Sequence, residues 1–155
     1  MLQHWQRQFL HPMLKAFDAP NRESCTATRP VSNTPLAALV LMNDPVFVAA
    51  ARGLAARVLE GPSDGSAPTS DHDRLARAWR ITLSRNPSDS ELMVLSGLLD
   101  RARTTFEERP ENARTLVGAD FTKNMHGRGV TAIEFAAWIH TCRAILNLHE
   151  TYTRE

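Results

Sequence analysis

Polar side chains that could hold a ligand are concentrated in one short stretch, residues 18–33, around a proline turn. The candidate residues are two carboxylates, two guanidinium groups and two amides: Asp18, Asn21, Arg22, Glu23, Arg29 and Asn33. On a rigid loop, such groups form directional, charge-assisted hydrogen bonds that suit an anionic or sugar-like ligand. The alternative is structural, with Asp18 capping the turn and the arginines pinning the loop to neighbouring helices. We therefore treat this loop as the candidate ligand-binding site.

Recognised catalytic and metal-binding motifs are missing from the sequence. The six histidines include no HExxH pair, and His140 and His149 would fall on opposite sides of a continuous helix. No GxSxG motif occurs, and the glycines of residues 127–129 lack the flanking strand and helix of a phosphate-binding loop. We predict neither catalytic residues nor a metal site, and we expect His149 to be a partly buried core residue or a partner of the helix C-terminus.

The two cysteines, Cys25 and Cys142, match neither a CxxC pattern nor a haem-attachment pattern. In an oxidising compartment they could form one disulfide, provided that the fold brings their backbones together. The alternative is a pair of independent buried thiols. The spacing leaves both alternatives open, but it indicates that this chain itself holds no cofactor.

Charge and hydropathy exclude two classes of partner. The 155 residues carry 18 basic and 17 acidic side chains, so the net charge of +1 gives no general attraction to nucleic acid or to an anionic membrane. The longest apolar run, residues 36–42, is far shorter than the roughly 20 residues that span a bilayer. The N-terminus shows no signal-peptide pattern either. We expect no nucleic-acid binding and no membrane insertion, whereas compartment and oligomeric state stay open.

Helix-capping residues divide the chain from residue 33 onward. Pro35 and Pro45 each follow a capping residue and suit the first turn of a helix, which predicts a helix pair over residues 34–60. The first of these helices is expected to bury Leu36, Leu39 and Val40. Residues 61–70 hold no aliphatic side chain larger than alanine and are predicted to form a flexible connector.

The remainder, residues 71–155, is also predicted to be helical. A helix from residue 71 should end at Asn86-Pro87, and capping boxes at Ser88–Glu91 and Thr131–Glu134 should open two more. The expected spans are 89–108, 110–117 and 132–152, with a loop over 118–130 and His149 on the apolar face of the last helix. Because no segment alternates with period two, the predicted fold is all-α, a compact bundle of about five to six helices.

Residues 1–33 differ from the rest and are predicted to form an irregular arm. Large apolar side chains are frequent in this segment, while Pro12 and Pro20 prevent one long helix. Trp5 is the tryptophan best placed to serve an interface. The arm begins without a cap of its own, so residues 1–155 are either a single helical domain or the C-terminal fragment of a larger one.

Three segments of the sequence resemble a known family. They are FDAPNRESCTATRPVSNTPLAALVLMNDPVFVAAARGLAARVL at 17–59, RLARAWRITLSRNPSDSELMVLSGLL at 74–99 and EFAAWIHTCRAILNLHETYTRE at 134–155. Together they resemble the C-terminal part of a domain of unknown function found in planctomycete-type bacteria. The resemblance implies a large exported parent protein, often with a c-type cytochrome module, and any haem would lie in that separate upstream module. His149 stands where similar endings commonly carry aspartate.

No site residue can be carried over from this family, because no activity is attached to it. The sequence therefore favours a structural or interaction module that packs on upstream domains of a parent protein. The alternative is part of an enzyme, related to polysaccharides or linked to a redox module, with the 18–33 loop contributing to a shared site.

Overall fold

The computed structural model describes residues 17, 35–61, 70–118 and 129–152. Within these ranges the chain forms seven helices and no strand, which confirms the all-α prediction. The helices are α1 (Pro35–Asn43), α2 (Pro45–Glu60), α3 (Asp71–Leu83), α4 (Asp89–Glu108), α5 (Pro110–Val117), α6 (Ala132–Leu146) and α7 (His149–Tyr152).

Helix α6 is the central helix of the bundle. Four consecutive residues in it, from Ala136 to Ile139, are 0% exposed, so the helix is covered on every side. Helices α2, α4 and α5 pack directly against it, and α3 contacts α2, α4 and α6. Trp138 is the largest of the fully buried side chains among the described residues. Arg143 of α6 donates to the carbonyl of Met42, which ties the end of α1 to the central helix.

Helix starts lie where the capping residues predict them. Asp44 accepts a hydrogen bond from the backbone N–H of Val46 at 2.8 Å, and Pro45 occupies the first position of α2. Ser88 and Glu91 form the predicted reciprocal capping box, so α4 spans residues 89–108 as expected. Thr131 caps α6 by accepting from the backbone N–H of Glu134, but the predicted capping box is only half formed, because the Glu134 carboxylate accepts from Arg103 and Trp138 instead.

Two helix ends differ from the sequence prediction. Helix α3 stops at Leu83 rather than at Asn86-Pro87, because Ser84 takes a left-handed conformation with φ 59° and its N–H bonds the carbonyl of Arg80. The predicted final helix stops at Leu146, where the N–H of Asn147 bonds the last carbonyls of α6. His149 begins the separate helix α7 and is exposed, so its predicted place on the buried face is wrong.

The buried face of α1 also differs from the prediction. Leu36 and Leu39 are 54% and 58% exposed, whereas Ala37 and Leu41 are buried. Every residue of α1 except Asn43 is apolar, so periodicity in the sequence offers no polar face to orient the helix. The small side chain of Ala37 suits the close contacts that α1 makes with α2 and α6.

The described helices were also compared with the length and hydropathy of a membrane span. No single one of them is both long and apolar enough to cross a bilayer. Helices α1 and α2 meet the criteria only as a pair, and they are bent by 61° at their joint.

Candidate functional site

An open groove with a volume of about 390 Å³ lies where three helices converge. The end of α3, the first half of α4 and the end of α6 form its walls, and Leu148 completes them. We call it the α4–α6 groove; its lining residues are Trp79, Ser90, Glu91, Val94, Leu95, Leu98, Ala144, Ile145 and Leu148. Volumes of a few hundred Å³ are typical of sites that accept ligands or partner side chains.

The apolar pattern of α4 explains this groove. Residues 91, 94, 95 and 98 recur at helical spacing and therefore share one face of α4. Leu95 and Ile145 are buried, and Trp79 is only 4% exposed, so these three form the closed side of the groove. Val94 is 67% exposed and lies at the open edge. The groove is thus an opening in the core that leaves a large apolar side chain in contact with solvent.

One arginine organises the polar end of the groove. The Nη2 atom of Arg85 lies 2.8 Å from Oε1 of Glu91, and its Nε lies 2.7 Å from Oε1 of Glu150. The Arg85 guanidinium also stacks over Trp79, 5.0 Å from the ring centroid. Arg85 therefore connects the start of α4 with α7 beside the indole that lines the groove.

These contacts fix the ionisation of the cluster. Hydrogen bonds to Glu150 and Glu91 raise the pKa of Arg85 above its ordinary value. The hydrogen bond from Arg85, with a second from the backbone N–H of Ser88, lowers the pKa of Glu91 to about 2. The hydrogen bond from Arg85 also lowers the pKa of Glu150. At neutral pH one cation thus faces two anions, and the cluster carries a net charge of −1 (+1 − 2).

Few polar groups of the lining are available to orient a small molecule. Glu91 is held by Arg85 and by Ser88, and the hydroxyl of Ser90 lies 3.0 Å from that of Ser88. The indole N–H of Trp79 is buried, and within the described part of the chain it has no hydrogen-bond partner. The other lining side chains are apolar. This composition suits the burial of apolar side chains better than it suits a chemical reaction.

A second ionic cluster, around Arg103, holds the bundle together. Nη2 of Arg103 on α4 lies 2.7 Å from Asp71 at the start of α3 and 2.6 Å from Glu134 in the first turn of α6. Glu134 also accepts a hydrogen bond of 2.9 Å from the indole N–H of Trp138. The first turns of α3 and α6 therefore meet α4 at one guanidinium group, outside the lining of the α4–α6 groove. We interpret this cluster as structural.

The remaining candidate chemical groups are inert or isolated. Burial raises the pKa of Cys142 to about 12, so this free thiol stays protonated and is a poor nucleophile. Burial, followed by the charge of Arg143, lowers the pKa of His140, which favours the neutral imidazole. Among the described residues, no group of three or more His, Cys, Asp or Glu side chains is placed to hold a metal ion.

The ligand-binding loop proposed from the sequence lies outside the described residues. This applies to all six of its candidates (Asp18, Asn21, Arg22, Glu23, Arg29 and Asn33) and to Cys25, the suggested disulfide partner of Cys142. Their role in ligand binding, or in a shared catalytic site, stays a prediction. Sequence reasoning missed the Arg85 cluster. The capping box at Ser88–Glu91 was the available signal, because it fixes a carboxylate a few residues after an arginine.

A comparison with known protein families assigns the chain to one of them. The family described as PSD1, protein of unknown function (DUF1553), matches residues 1–99. The chain belongs to the PSD1 family. The match confirms the resemblance to a domain of unknown function, and it contains the α3 and α4 residues of the groove but not those of α6. No curated protein and no solved structure matches the chain.

Proposed function

We propose that this PSD1-family chain is a structural and interaction module of a larger protein, and that its α4–α6 groove receives an apolar segment of an upstream domain. The observation that carries this proposal is the groove itself, an apolar cleft of about 390 Å³ with Val94 67% exposed at its edge. Burying such a side chain against a partner is favourable by about 25 cal/mol for each Å² removed from water. Any haem would belong to the upstream domains.

The charge beside the groove narrows the kind of segment that would fit. Arg85 is fully engaged by Glu91 and Glu150, and the cluster carries a net negative charge. An acidic segment would be repelled there, whereas a neutral or basic one would be tolerated or attracted. The expected partner segment therefore combines two or three large apolar side chains with a lysine or arginine near the Arg85 end.

The accessibility of the groove can be tested with the neutral dye Nile red, whose fluorescence rises in apolar surroundings. We expect the purified chain to bind the dye, and we expect Val94→Glu to weaken this binding by placing a charge at the groove edge. The matched control is Met93→Glu, because Met93 is 75% exposed on the same helix but does not line the groove. Equal dye binding by both variants, with helical circular dichroism retained, would show that the groove is not an accessible binding surface.

A further inference from the structure

One side chain in the lining of the α4–α6 groove lies outside the three helices that form its walls. Leu148 lies between the end of α6 and the start of α7, is partly buried and packs against the core. It lines the groove together with Trp79 and Ile145. We call residues 147–152 the α7 strap. The strap therefore places an apolar side chain of the chain itself at the surface where a partner segment would bind.

Contacts with neighbouring helices hold the α7 strap in place. Nε and Nη2 of Arg85 donate to the two carboxylate oxygens of Glu150 at 2.7 and 2.8 Å. The hydroxyl of Thr151 donates to the carbonyl of Ile145 at 2.9 Å. Helix α7 has four residues, far fewer than a helix needs to be stable by itself in water. Its position and its helical form therefore depend on these contacts.

The main ionic contact of the strap is open to solvent. The side chains of Arg85 and Glu150 are 40% and 49% exposed, and ion pairs of this kind contribute little to stability and are weakened by salt. Arg85 also holds Glu91 through two hydrogen bonds of 2.8 and 3.0 Å. Because Glu91 belongs to the capping box of α4, that helix keeps its start when Glu150 leaves. The strap can thus detach without unfolding the bundle.

The joint between α6 and the strap carries a cost in the attached state. Asn147 stands there with φ −90° and ψ 0°, and its side-chain oxygen is buried with no hydrogen-bond partner among the described residues. A buried acceptor without a hydrogen bond is unfavourable relative to the same group in water. Detachment would return this oxygen to water, which offsets part of the loss when Leu148 leaves the core.

We propose that the α7 strap is an autoinhibitory element of the α4–α6 groove. While Glu150 holds it on Arg85, Leu148 occupies part of the groove surface, and the strap must detach before a partner segment can bind along the whole groove. This inference rests on the function proposed above for the groove and adds how access to it is controlled. A lysine or arginine of the partner segment can pair with Glu150 in place of Arg85, so an arriving basic segment favours detachment.

Amide hydrogen exchange of the full chain, followed by NMR, measures the detachment directly. The N–H of Thr151 donates to the carbonyl of Leu148, and the N–H of Leu148 donates to the end of α6, so both exchange when the strap opens. We expect both to exchange faster than the N–H of Ile139 in the core. Glu150→Gln should speed both by about two- to fivefold, the range for an exposed ion pair, and leave Ile139 unchanged. The control Glu107→Gln, at an exposed site on α4, should change none of the three.

Nile red binding tests whether the strap limits access to the groove. Apparent affinity is proportional to the fraction of molecules in the binding-competent state, so Glu150→Gln should raise the affinity for the dye by the factor that amide exchange gives. High salt should reduce this difference from the unaltered chain, because it screens the Arg85–Glu150 pair. Leu148→Ala should also strengthen dye binding, since it vacates the surface that Leu148 covers. Glu107→Gln should leave dye binding unchanged.

Three results would overturn the strap proposal. The first is exchange of the Leu148 and Thr151 amides no faster than that of Ile139, because the strap would then open only with the whole fold. The second is equal dye binding by the unaltered chain and Glu150→Gln. The third is weaker dye binding by Leu148→Ala, because Leu148 would then be part of the binding surface and not its occupant. In each case, loss of dye binding in Val94→Glu leaves the groove proposal standing.

Discussion

Glu134 offers a direct test of how the helices are held together. Its carboxylate accepts hydrogen bonds of 2.9 and 2.6 Å from Arg103 and one of 2.9 Å from the indole of Trp138. Glu134→Gln keeps the shape of the side chain and one acceptor oxygen, but it removes the charge that faces the guanidinium. Arg103 keeps Asp71 and Asp100 as partners. The variant should therefore fold while losing part of the link between α4 and α6.

The magnitude follows from the partial burial of the pair. The side chains of Arg103 and Glu134 are 25% and 29% exposed, which places them between surface and buried ion pairs. Exposed pairs contribute about 0–1 kcal/mol, and removing one partner of a fully buried pair costs about 3–5 kcal/mol. We expect Glu134→Gln to lower the free energy of unfolding by about 2 kcal/mol. The control Glu107→Gln, at an exposed site on the same helix as Arg103, should change it by less than about 0.5 kcal/mol.

The loss of unfolding free energy caused by Glu134→Gln should depend on pH, which gives a second readout. Burial raises the pKa of Glu134, but the hydrogen bonds from Arg103 and Trp138 outweigh it, and the pKa in the folded chain lies below its ordinary value of 4.5. A lowered folded pKa means that the stabilisation is complete above pH 4.5 and is lost as the pH falls toward the folded pKa. Urea unfolding of the unaltered chain and of Glu134→Gln between neutral pH and about pH 3 measures this loss. If the difference in the free energy of unfolding between the unaltered chain and Glu134→Gln stayed constant over that pH range, the role assigned to Glu134 would be refuted. Equal effects of Glu134→Gln and Glu107→Gln would refute it as well.

Three further experiments test individual features of the fold. Ser84→Gly should raise the free energy of unfolding by about 0.5–1 kcal/mol, because glycine adopts the observed φ of 59° without strain; a destabilised variant in urea titration would contradict this. Ser88→Ala should cost about 1 kcal/mol by removing the cap of α4, whereas the exposed Ser96→Ala should cost none; equal melting temperatures would argue against the capping box. In a Cys25→Ser background, Cys142 should resist a disulfide reagent near the ordinary thiol pKa of about 8.5 and react only after unfolding. Rapid labelling of Cys142 in the folded chain would contradict this prediction.

The parts of the fold that follow from local chemistry could be predicted from the sequence. The start of α4 depends on Ser88 and Glu91, which are three residues apart and satisfy each other's backbone groups. Helix α5 is bounded by Pro110 and Gly118 in the same local way. Such signals need no knowledge of distant contacts, so they fix helix starts, and often helix ends, before the tertiary structure is known.

The parts that depend on tertiary packing could not be predicted. Helix α6 ends at Leu146 although no glycine or proline follows it there; its last carbonyls accept hydrogen bonds from the backbone N–H groups of Asn147 and Leu148 and from the hydroxyl of Thr151. The orientation of α1 is set by the neighbours that cover Ala37 and Leu41, since almost all of its residues are apolar. Helical periodicity identifies a face only where polar residues define the opposite one.

The candidate site was hidden from the sequence for a related reason. Arg85 bonds Glu150 across 65 positions of the chain, and Trp79 and Leu148 line one groove only after α3, α4 and α6 have assembled. The apolar lining residues that lie on helices also fit an ordinary core pattern when each helix is considered alone. What makes the site recognisable is the gap between the helices together with the exposure of Val94, and neither property exists before the bundle forms.

The most direct test of the interaction role is site-specific photo-crosslinking in cells that produce the native protein at its natural length. A benzoylphenylalanine at position 94 reports contacts at the groove edge, and one at the exposed position Thr104 on the same helix serves as the control. We predict one discrete crosslinked peptide from position 94, rich in apolar residues, containing a basic residue and belonging to an upstream domain of the protein. Crosslinking at position 94 no stronger than at position 104 would contradict a role for the groove in binding a partner segment.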